Sequence, residues 1–590
     1  MKYEKRWFAA IMIVFLLSGC ARGVGVKKAG VSPDGVPTQA VPSKAVAVCT
    51  DLGKAFRYPN AELTSVSLVP EGTLSLPGIN DPMPEHCLVK GKMNERVSKV
   101  DGKRYAIGFE MRLPTSWNGR FFYQANGGLD GRVVNAYGDI LGGGPTSNGL
   151  LKGFAVISSD AGHQMEEGPI GDGVFGIDPQ ARIDYGYNAV AQLTPMAKNL
   201  IRTYYGRLPD KSYIVGTSNG GRHAMVAASR CADQYDGFLA GSPGFNLPKA
   251  AVAQLWGVQQ YRSVSETSAK TNRPDVSTSF SAADLQLVSG SILGKCDVLD
   301  GLADNIVSDI EKCQSAFNIE NDVPTCSGPP DGKCLTKSQK EVLAKVHAGA
   351  KNSAGQSLYA SFPWDVGISS SAWRTWKFAN STGPRDPLAV GFVFMTPPVQ
   401  PTLLTGHGNS IVDFVLNFNV DTDAPKIYAT DSTYTESSMS FMTPPEPALP
   451  RLVANHGKLI VVHGSADPVF SVSDTINWYE GFRARYRDAA TDTVRLFVVP
   501  GMSHSRGGPA TDQFDMVDAL VNWVERGIAP NVIAAKARGK GAVAPAAVNT
   551  EVPPSWSPGR TRPLCAYPEV PRYKGSGDIE TASSFSCVTP

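Results

Sequence analysis

The chain has 590 residues, of which 42% are hydrophobic and 19% charged, and its formal net charge is +2. This length exceeds what one compact core usually holds and predicts two large units of ordinary globular composition. The near-neutral charge gives no electrostatic reason to expect a polyanion, so we expect no nucleic-acid partner.

The N-terminus indicates export. Residues 1–20 combine a basic start with an apolar run that is too short to span a membrane comfortably, and they end in a pattern typical of a bacterial lipobox. In that interpretation Cys20 becomes the lipidated first residue; an ordinary signal peptide with a chance cysteine is the alternative. Residues 21–45 are rich in Gly, Pro, Ala and Val and are predicted to form a flexible tether. We therefore expect an exported lipoprotein, anchored to the outer membrane or held in the periplasm or at the cell surface, that meets the membrane only through its lipid.

The remaining cysteines agree with export, because disulfides persist in oxidising compartments. Eight of these nine fall into close sequential pairs, and Cys231 is left over. Spacing does not prove connectivity, and the simplest pairing is Cys49–Cys87, Cys296–Cys313, Cys326–Cys334 and Cys565–Cys587.

Predicted strands and helices alternate on both sides of a central segment. Strands are predicted at 105–113, 120–124, 153–159 and 211–215, with helices at 184–205 and 221–230. The alternation resumes with strands at 458–463 and 494–500 and helices at 474–486 and 513–526. This order is typical of a mostly parallel sheet covered by helices. We predict one α/β core, built from residues 46–245 and 447–590, with a domain inserted at 246–446.

Ser218 lies in a G-x-S-x-G pattern, Gly216-Thr217-Ser218-Asn219-Gly220. The pattern alone is weak, but it follows the predicted strand 211–215 and opens the predicted helix 221–230, as a nucleophile elbow does. The helix N-terminus also offers backbone N–H groups to a developing oxyanion. We predict that Ser218 is a catalytic nucleophile rather than a structural turn serine.

The acid and the base of such a site follow the serine in the order Asp, His. Asp467 and His504 both follow predicted strands, at the sheet edge where catalytic groups of open α/β sheets collect. We predict that His504 takes the Ser218 proton and that Asp467 orients the imidazole. Asp474 and Asp512 are weaker alternatives for the acid, because each lies near a predicted helix start and is typical of a cap.

The Gly-rich sequence Ala125-Asn126-Gly127-Gly128 follows the strand 120–124. An earlier loop of this kind supplies the second oxyanion donor in the α/β-hydrolase arrangement. We assign the oxyanion hole to the backbone N–H groups of Gly128 and Asn219; a simple tight turn is the alternative.

Taken together, these residues resemble the tannase and feruloyl esterase family over nearly the whole chain after the tether. The resemblance rests on NGRFFYQANGG, KSYIVGTSNGGRHAM, CDVLDGLADNIV, HGSADPVFS and VPGMSHSRGG. It implies an α/β-hydrolase core, an inserted lid, hydrolysis of aromatic carboxylic esters, and the same triad and oxyanion hole. Within the family, the chain looks close to the hydrolases of mono(2-hydroxyethyl) terephthalate.

The resemblance also implies a substrate pocket for a flat aromatic acyl group, formed by Leu247, Trp376, Phe392, His463 and Phe470. Family members that hydrolyse terephthalate monoesters carry a lid arginine that binds the substrate carboxylate. The matching stretch, residues 388–392, has no arginine, and Arg385 is offset from it. We therefore expect a feruloyl or related hydroxycinnamoyl ester as substrate. A terephthalate monoester hydrolase, a tannase, and an inactive surface-binding protein are the alternatives.

Finally, the resemblance implies a structural calcium ion in the lid. Its ligands would be the side chains of Asp297, Asp300 and Asp304 and the main-chain carbonyls of Leu302 and Ile306. Three carboxylates within eight residues suit a hard cation; without the resemblance, a solvated acidic loop is the simpler interpretation. A metal-dependent hydrolase is disfavoured, because this cluster is far in sequence from Ser218. We expect calcium, no organic cofactor, and a monomer.

One departure from the family concerns the triad. Family members commonly carry a disulfide between a cysteine before the nucleophile and another after the catalytic histidine, but here these positions are Thr217 and Ser505. Because a disulfide contributes about 2–4 kcal/mol, we expect a more mobile His504 loop unless packing compensates.

Overall fold

The computed structural model describes residues 37–328, 331–405, 410–541 and 548–590. The predicted signal segment, the lipidation site Cys20 and most of the predicted tether lie outside these residues. In the described part of the chain, every helix falls short of the length and hydrophobicity that crossing a bilayer requires.

A mixed sheet of nine strands forms the centre of the described fold, in the order β9-β8-β7-β6-β4-β5-β3-β2-β1. Its strands are β1 (Ala61–Val69), β2 (His86–Val97), β3 (Arg104–Pro114), β4 (Arg120–Ala125), β5 (Ala155–Ser159), β6 (Lys211–Thr217), β7 (Gly237–Gly241), β8 (Lys458–Gly464) and β9 (Val494–Val499). The strands from β4 to β9 pair in parallel, whereas β1, β2 and β3 join by antiparallel pairings. The parallel part was predicted, and the antiparallel extension at one edge is additional.

Helices cover the sheet and build the lid. The main ones are α1 (Ala189–Tyr205), α2 (Asn219–Arg230), α3 (Leu247–Tyr261), α4 (Ala282–Cys296), α5 (Ile310–Ala316), α6 (Lys337–His347), α7 (Ser410–Asn417), α8 (Val472–Tyr486) and α9 (Met516–Arg526). The parallel strands are buried along almost their whole length, as apolar runs covered on both faces are.

The lid leaves and rejoins the sheet at neighbouring strands. Residues 246–446 lie between β7 and β8, and these two strands pair directly in parallel. The segment begins with α3 at the carboxyl end of β7, the edge where α/β folds place their ligands. Further along it, two π-helical turns, Thr375–Asn380 and Ala389–Phe394, bring lid residues toward the same edge.

The C-terminal segment does not extend the sheet. Its strands β10 (Val532–Lys536) and β11 (Thr561–Cys565) form one antiparallel ribbon, and β12 (Val570–Tyr573) and β13 (Phe585–Val588) form another. Arg562 of β11 pairs with Asp304 of the lid, so the first ribbon contacts the lid.

The predicted disulfide pairing is confirmed. Bonds join Cys49–Cys87, Cys296–Cys313, Cys326–Cys334 and Cys565–Cys587. Among the described residues no cysteine is free, so the sequence-based view of Cys231 as left over is wrong. Several disulfide bonds in one chain are typical of a protein that folds in an oxidising compartment, and hence of an exported protein.

Candidate active site

Ser218 occupies a strained turn between β6 and α2. Its φ and ψ are 63° and −124°, which non-glycine residues rarely adopt outside functional turns. The turn lies against the end of β4, where a Cβ on Gly216 would be 2.6 Å from the Ala125 carbonyl oxygen. Only glycine fits there, and this explains the glycine before the serine in the G-x-S-x-G pattern.

The predicted base stands at hydrogen-bonding distance from the nucleophile. His504 Nε2 is 2.8 Å from Ser218 Oγ, and His504 Nδ1 is 2.7 Å from Asp467 Oδ2. The carboxylate accepts the Nδ1 proton, which leaves Nε2 to accept the proton of the serine hydroxyl. Three residues from three separate strand ends therefore form a connected triad.

The carboxylate of Asp467 is fully buried and fully hydrogen-bonded. Its Oδ1 accepts the N–H groups of Val469 and Phe470 at 2.8 and 3.1 Å. Its Oδ2 accepts hydrogen bonds from His504 and, at 3.2 Å, from His463. Burial opposes ionisation, but the charge of His504 and the hydrogen bonds from both histidines outweigh burial and lower the pKa of Asp467. The acid is thus held ionised opposite the imidazole.

The two alternative acids are engaged elsewhere. Asp474 accepts the side-chain amide of Asn246 at 3.0 Å, and Asp512 forms an ion pair with Arg538 at 2.6 Å. Their positions support Asp467 as the acid of the triad.

A cavity opens beside Ser218 between the sheet edge and the lid. The predicted pocket residues Leu247, Trp376 and Phe470 line it, together with Gln254 of α3. The rings of Trp376 and Phe470 lie 5.9 and 5.5 Å from the His504 ring. The triad therefore faces an apolar, aromatic wall.

The structure does not bring two of the predicted pocket residues to this wall. His463 is fully buried behind Asp467, where Nδ1 bonds Thr475 at 2.9 Å and Nε2 contacts the acid. Phe392 is also fully buried, inside the lid, and its carbonyl accepts a hydrogen bond from Arg182. His463 supports the catalytic acid in this geometry, and Phe392 packs in the lid core.

Arg385 is a cavity residue that sequence reasoning set aside because of its offset. It lines the cavity with Ser218, and a Cβ added to Gly128 would lie 2.9 Å from its Nη1. Among the described residues, its one ion pair is a loose contact of 3.9 Å to Asp172, and its side chain is 35% exposed. A cationic group is therefore available to a ligand in the cavity.

Gly128 and Asn219, the predicted oxyanion pair, both line the cavity next to Ser218. Gly128 has a φ of 68°, which favours glycine, and Asn219 is the first residue of α2. Their arrangement suits donors from a loop and a helix N-terminus that converge on one oxyanion.

A hydrogen bond occupies the place of the family disulfide. Thr217 Oγ1 donates to Ser505 Oγ at 2.6 Å, and Ser505 N–H donates to Ser242 Oγ at 3.2 Å. The nucleophile turn and the His504 loop are thus joined by hydroxyl contacts rather than by a covalent bond.

We expect the double variant Thr217→Cys/Ser505→Cys to form a disulfide, because the two side-chain oxygens already touch. The bond should raise the free energy of unfolding by about 2–4 kcal/mol. Thermal unfolding with and without reductant measures this gain, and Thr217→Cys alone is the control. Free thiols that persist in the oxidised double variant would contradict the geometry.

The acidic lid loop is held by hydrogen bonds within the loop and by the C-terminal ribbon. Asp297 Oδ1 and Asp304 Oδ1 both accept the Ile306 N–H, at 3.2 and 3.1 Å, while Asp300 accepts Ser308 N–H at 3.1 Å. In the described chain, no group of three or more His, Cys, Asp or Glu side chains is arranged to hold a metal ion. The expected ligand set also includes two main-chain carbonyls, and all of its donors are hard oxygens of the kind that calcium binds.

Comparison with known proteins identifies the family of the chain. A family model described as tannase and feruloyl esterase matches residues 87–588. The mono(2-hydroxyethyl) terephthalate hydrolase of Piscinibacter sakaiensis is 39% identical over 535 residues, which cover 86% of this chain and 85% of that protein. The structure of feruloyl esterase B from Aspergillus oryzae superposes with a TM-score of 0.70 at 23% identity, covering 92% of this chain and 99% of that chain. The tannin acyl hydrolase from Aspergillus niger superposes with a TM-score of 0.64 at 18% identity, covering 93% and 96%. The chain therefore belongs to the tannase and feruloyl esterase family and is a carboxylic ester hydrolase with the α/β-hydrolase fold.

Proposed function

We propose that this hydrolase cleaves esters of aromatic carboxylic acids through an acyl-enzyme on Ser218. The observation that carries the proposal is the aromatic wall of Trp376 and Phe470, which packs around the triad histidine. A flat acyl group fits between such rings while its ester carbonyl reaches the serine.

The catalytic steps follow from the hydrogen bonds of the triad. Ser218 Oγ attacks the ester carbonyl as its proton passes to His504 Nε2, and Asp467 stabilises the imidazolium that forms. The backbone N–H groups of Gly128 and Asn219 donate hydrogen bonds to the oxyanion of the tetrahedral intermediate. His504 then protonates the leaving alcohol and activates the water that releases the acid.

Within this substrate class, Arg385 favours an acyl group that carries a second carboxylate. A neutral feruloyl ester has no group to pair with a cation in the cavity, whereas a terephthalate monoester has one. The name of the Piscinibacter sakaiensis relative supports the same choice. A terephthalate monoester is therefore the first candidate substrate, and a hydroxycinnamoyl ester is the second.

A matched pair of substrates tests this choice. Mono(2-hydroxyethyl) terephthalate carries the free carboxylate that bis(2-hydroxyethyl) terephthalate lacks, and methyl ferulate represents the hydroxycinnamoyl class. We expect Arg385→Gln to lower kcat/KM for the monoester by about 10- to 100-fold, as loss of a hydrogen bond to a charged group does. The kcat/KM values for bis(2-hydroxyethyl) terephthalate and methyl ferulate should change little.

The exposed lid residue Arg262 provides a control of equal charge change, Arg262→Gln. Equal losses on all three substrates would show that Arg385 acts on the fold and not on the carboxylate. A wild-type preference for methyl ferulate would place the hydroxycinnamoyl esters first.

We also propose that the acidic lid loop binds one structural calcium ion. The carboxylates of Asp297, Asp300 and Asp304 and the carbonyls of Leu302 and Ile306 would hold it, in a loop clamped by Cys296–Cys313. The ion would stabilise the lid and take no part in the ester chemistry.

Removal of calcium with a chelator should therefore lower the free energy of unfolding by about 2–3 kcal/mol, the linkage expected near 100 times the Kd. The initial rate of ester hydrolysis below the unfolding range should stay unchanged. Metal analysis after dialysis and thermal unfolding of wild type and Asp300→Asn measure the effect. A protein that retains no calcium and shows no shift would indicate that Arg562 is the counter-charge of the loop.

For the cellular setting, we propose that Cys20 is lipidated and that the exported enzyme is a monomer bound to the membrane by its lipid alone. The lipobox pattern supports the lipidation, and the four disulfides support export. The intact mass of the membrane-extracted protein tests it, because Cys20→Ala should remove the lipid mass.

A further inference from the structure

A buried polar network joins the two halves of the oxyanion hole. Asp130 closes the loop that carries Gly128, and its Oδ2 accepts the side-chain amide of Asn219 at 2.8 Å. The same oxygen lies 3.1 Å from His223 Nε2. The Asp130 side chain is 2% exposed and Asn219 is 1% exposed, so water does not compete for these bonds.

A second arm closes the network into a ring. Asn219 Oδ1 accepts Arg222 Nε at 2.6 Å, and Arg222 Nη2 donates to the Tyr185 carbonyl at 2.9 Å. The Tyr185 hydroxyl donates to the Gly128 carbonyl at 3.1 Å. Starting from Gly128, the bonds thus run through the tyrosine, the arginine and Asn219 to Asp130, which lies two residues along the chain from Gly128.

None of these side chains belongs to the triad. Asp130 and Tyr185 hydrogen-bond to Asn219 and Gly128, whose backbone N–H groups are the proposed oxyanion donors. Asp130 has a φ of 55° and Gly128 a φ of 68°, so the loop between them is held in a conformation that few sequences adopt unaided. Burial raises the pKa of Asp130 well above its usual value, which points to a role in hydrogen bonding rather than in pairing charge.

We propose that Asp130 is a positioning residue for the oxyanion hole. Through the Asn219 amide it ties the Gly128 loop to the N-terminus of α2 and so sets the separation of the two backbone donors. Donors of this kind stabilise only the charge that develops in the transition state, so a shift in their separation affects kcat and leaves ground-state binding in place.

The test compares Asp130→Leu, which keeps the size and removes the acceptor, with Asp130→Asn, which keeps one acceptor oxygen for Asn219. With p-nitrophenyl benzoate as substrate, we expect Asp130→Leu to lower kcat by about 10- to 100-fold with KM within about 3-fold, and Asp130→Asn to recover most of the loss. Affinity for benzeneboronic acid, which forms a tetrahedral adduct with the serine, should fall in parallel with kcat. Affinity for benzoate should not change.

The matched control is Asp160→Asn. Asp160 is equally buried and lies beside the same loop, but it accepts the N–H groups of Gly108 and Gly162 and does not contact Asn219. The Asp160→Asn substitution should lower thermal stability and leave kcat and boronate affinity unchanged. If Asp130→Leu does not fold, Asn219→Ala provides the second variant, since it removes the amide and keeps the backbone N–H; its boronate affinity and kcat should fall together.

Unchanged kcat and boronate affinity in folded Asp130→Leu would overturn the proposal, as would equal losses in Asp160→Asn. The inference rests on ester hydrolysis by Ser218 but not on which natural ester is used. All variants are compared on one synthetic ester, so an error in the substrate assignment would leave this comparison intact.

Discussion

Replacement of Ser218 by alanine should lower kcat by about 10⁴- to 10⁶-fold, the range seen when the nucleophile of a serine triad is removed. The change removes one oxygen atom, the one that lies 2.8 Å from His504 Nε2. The residual rate should be that of an oxyanion hole and a binding site without a nucleophile. Steady-state hydrolysis of an aromatic ester measures the loss, at an enzyme concentration high enough to detect the residual rate.

The control for this experiment is Ser263→Ala at an exposed lid serine, which should keep full activity. Thermal unfolding should show that Ser218→Ala is folded. Turnover within 10-fold of wild type in a folded Ser218→Ala protein would rule out the acyl-enzyme mechanism.

Asp467→Asn should cost about 10⁴-fold in kcat, because an amide at this position favours the wrong imidazole tautomer. Asp467 Oδ2 is the acceptor for His504 Nδ1 at 2.7 Å, and an amide nitrogen in its place would donate to that atom. His504 Nε2 would then carry the proton and could not accept one from the serine. The measurement is kcat as a function of pH, with tertiary structure checked by near-UV circular dichroism.

Asp474→Asn is the matched control, since Asp474 is the buried acid that the sequence leaves as an alternative. Its carboxylate accepts from Asn246, and burial raises its pKa to about 6. It should keep kcat within a few-fold of wild type. A larger loss in Asp474→Asn than in Asp467→Asn would reverse the assignment of the acid.

The sequence predicts the central strands well, because a short apolar run bounded by loops is compatible with few structures other than a buried strand. The strands predicted at 120–124, 211–215 and 494–500 appear as β4, β6 and β9 with ends that differ by one or two residues. The strands β1 and β2 are not predicted. β1 is partly exposed along its length, so its pattern lacks the apolar run by which a buried strand is recognised.

The triad is predictable because each of its members follows an apolar strand in a fixed order along the chain. The pocket is harder to predict, since its residues come from the lid, where spacing follows no simple period. Residues 386–394 combine one short helical turn with a π-helical turn. Because these turns have different numbers of residues per turn, the position of a residue relative to the family's lid arginine does not predict whether its side chain reaches the cavity. This is why Arg385 lines the cavity although its position in the sequence argues against it, and why Phe392 does not.

His463 illustrates a different limit of sequence reasoning. It is the last residue but one of the buried strand β8 and lies four residues before the catalytic acid. A histidine so close to a triad is easily assigned to the substrate pocket. In the fold, the turn that follows β8 carries Asp467 back over the ring, so the imidazole supports the acid from behind. No pattern in one sequence distinguishes these two roles.

The central claim is that Ser218 is the nucleophile, and covalent labelling tests it most directly. The wild-type enzyme is treated with an organophosphonate ester, digested and mapped by mass spectrometry, with and without an aromatic ester as competitor. We expect one adduct, on the peptide that contains Ser218, which forms as activity is lost and is slowed by the ester. An enzyme inactivated with its label on another residue, or one that hydrolyses the ester while Ser218 is fully modified, would contradict the account.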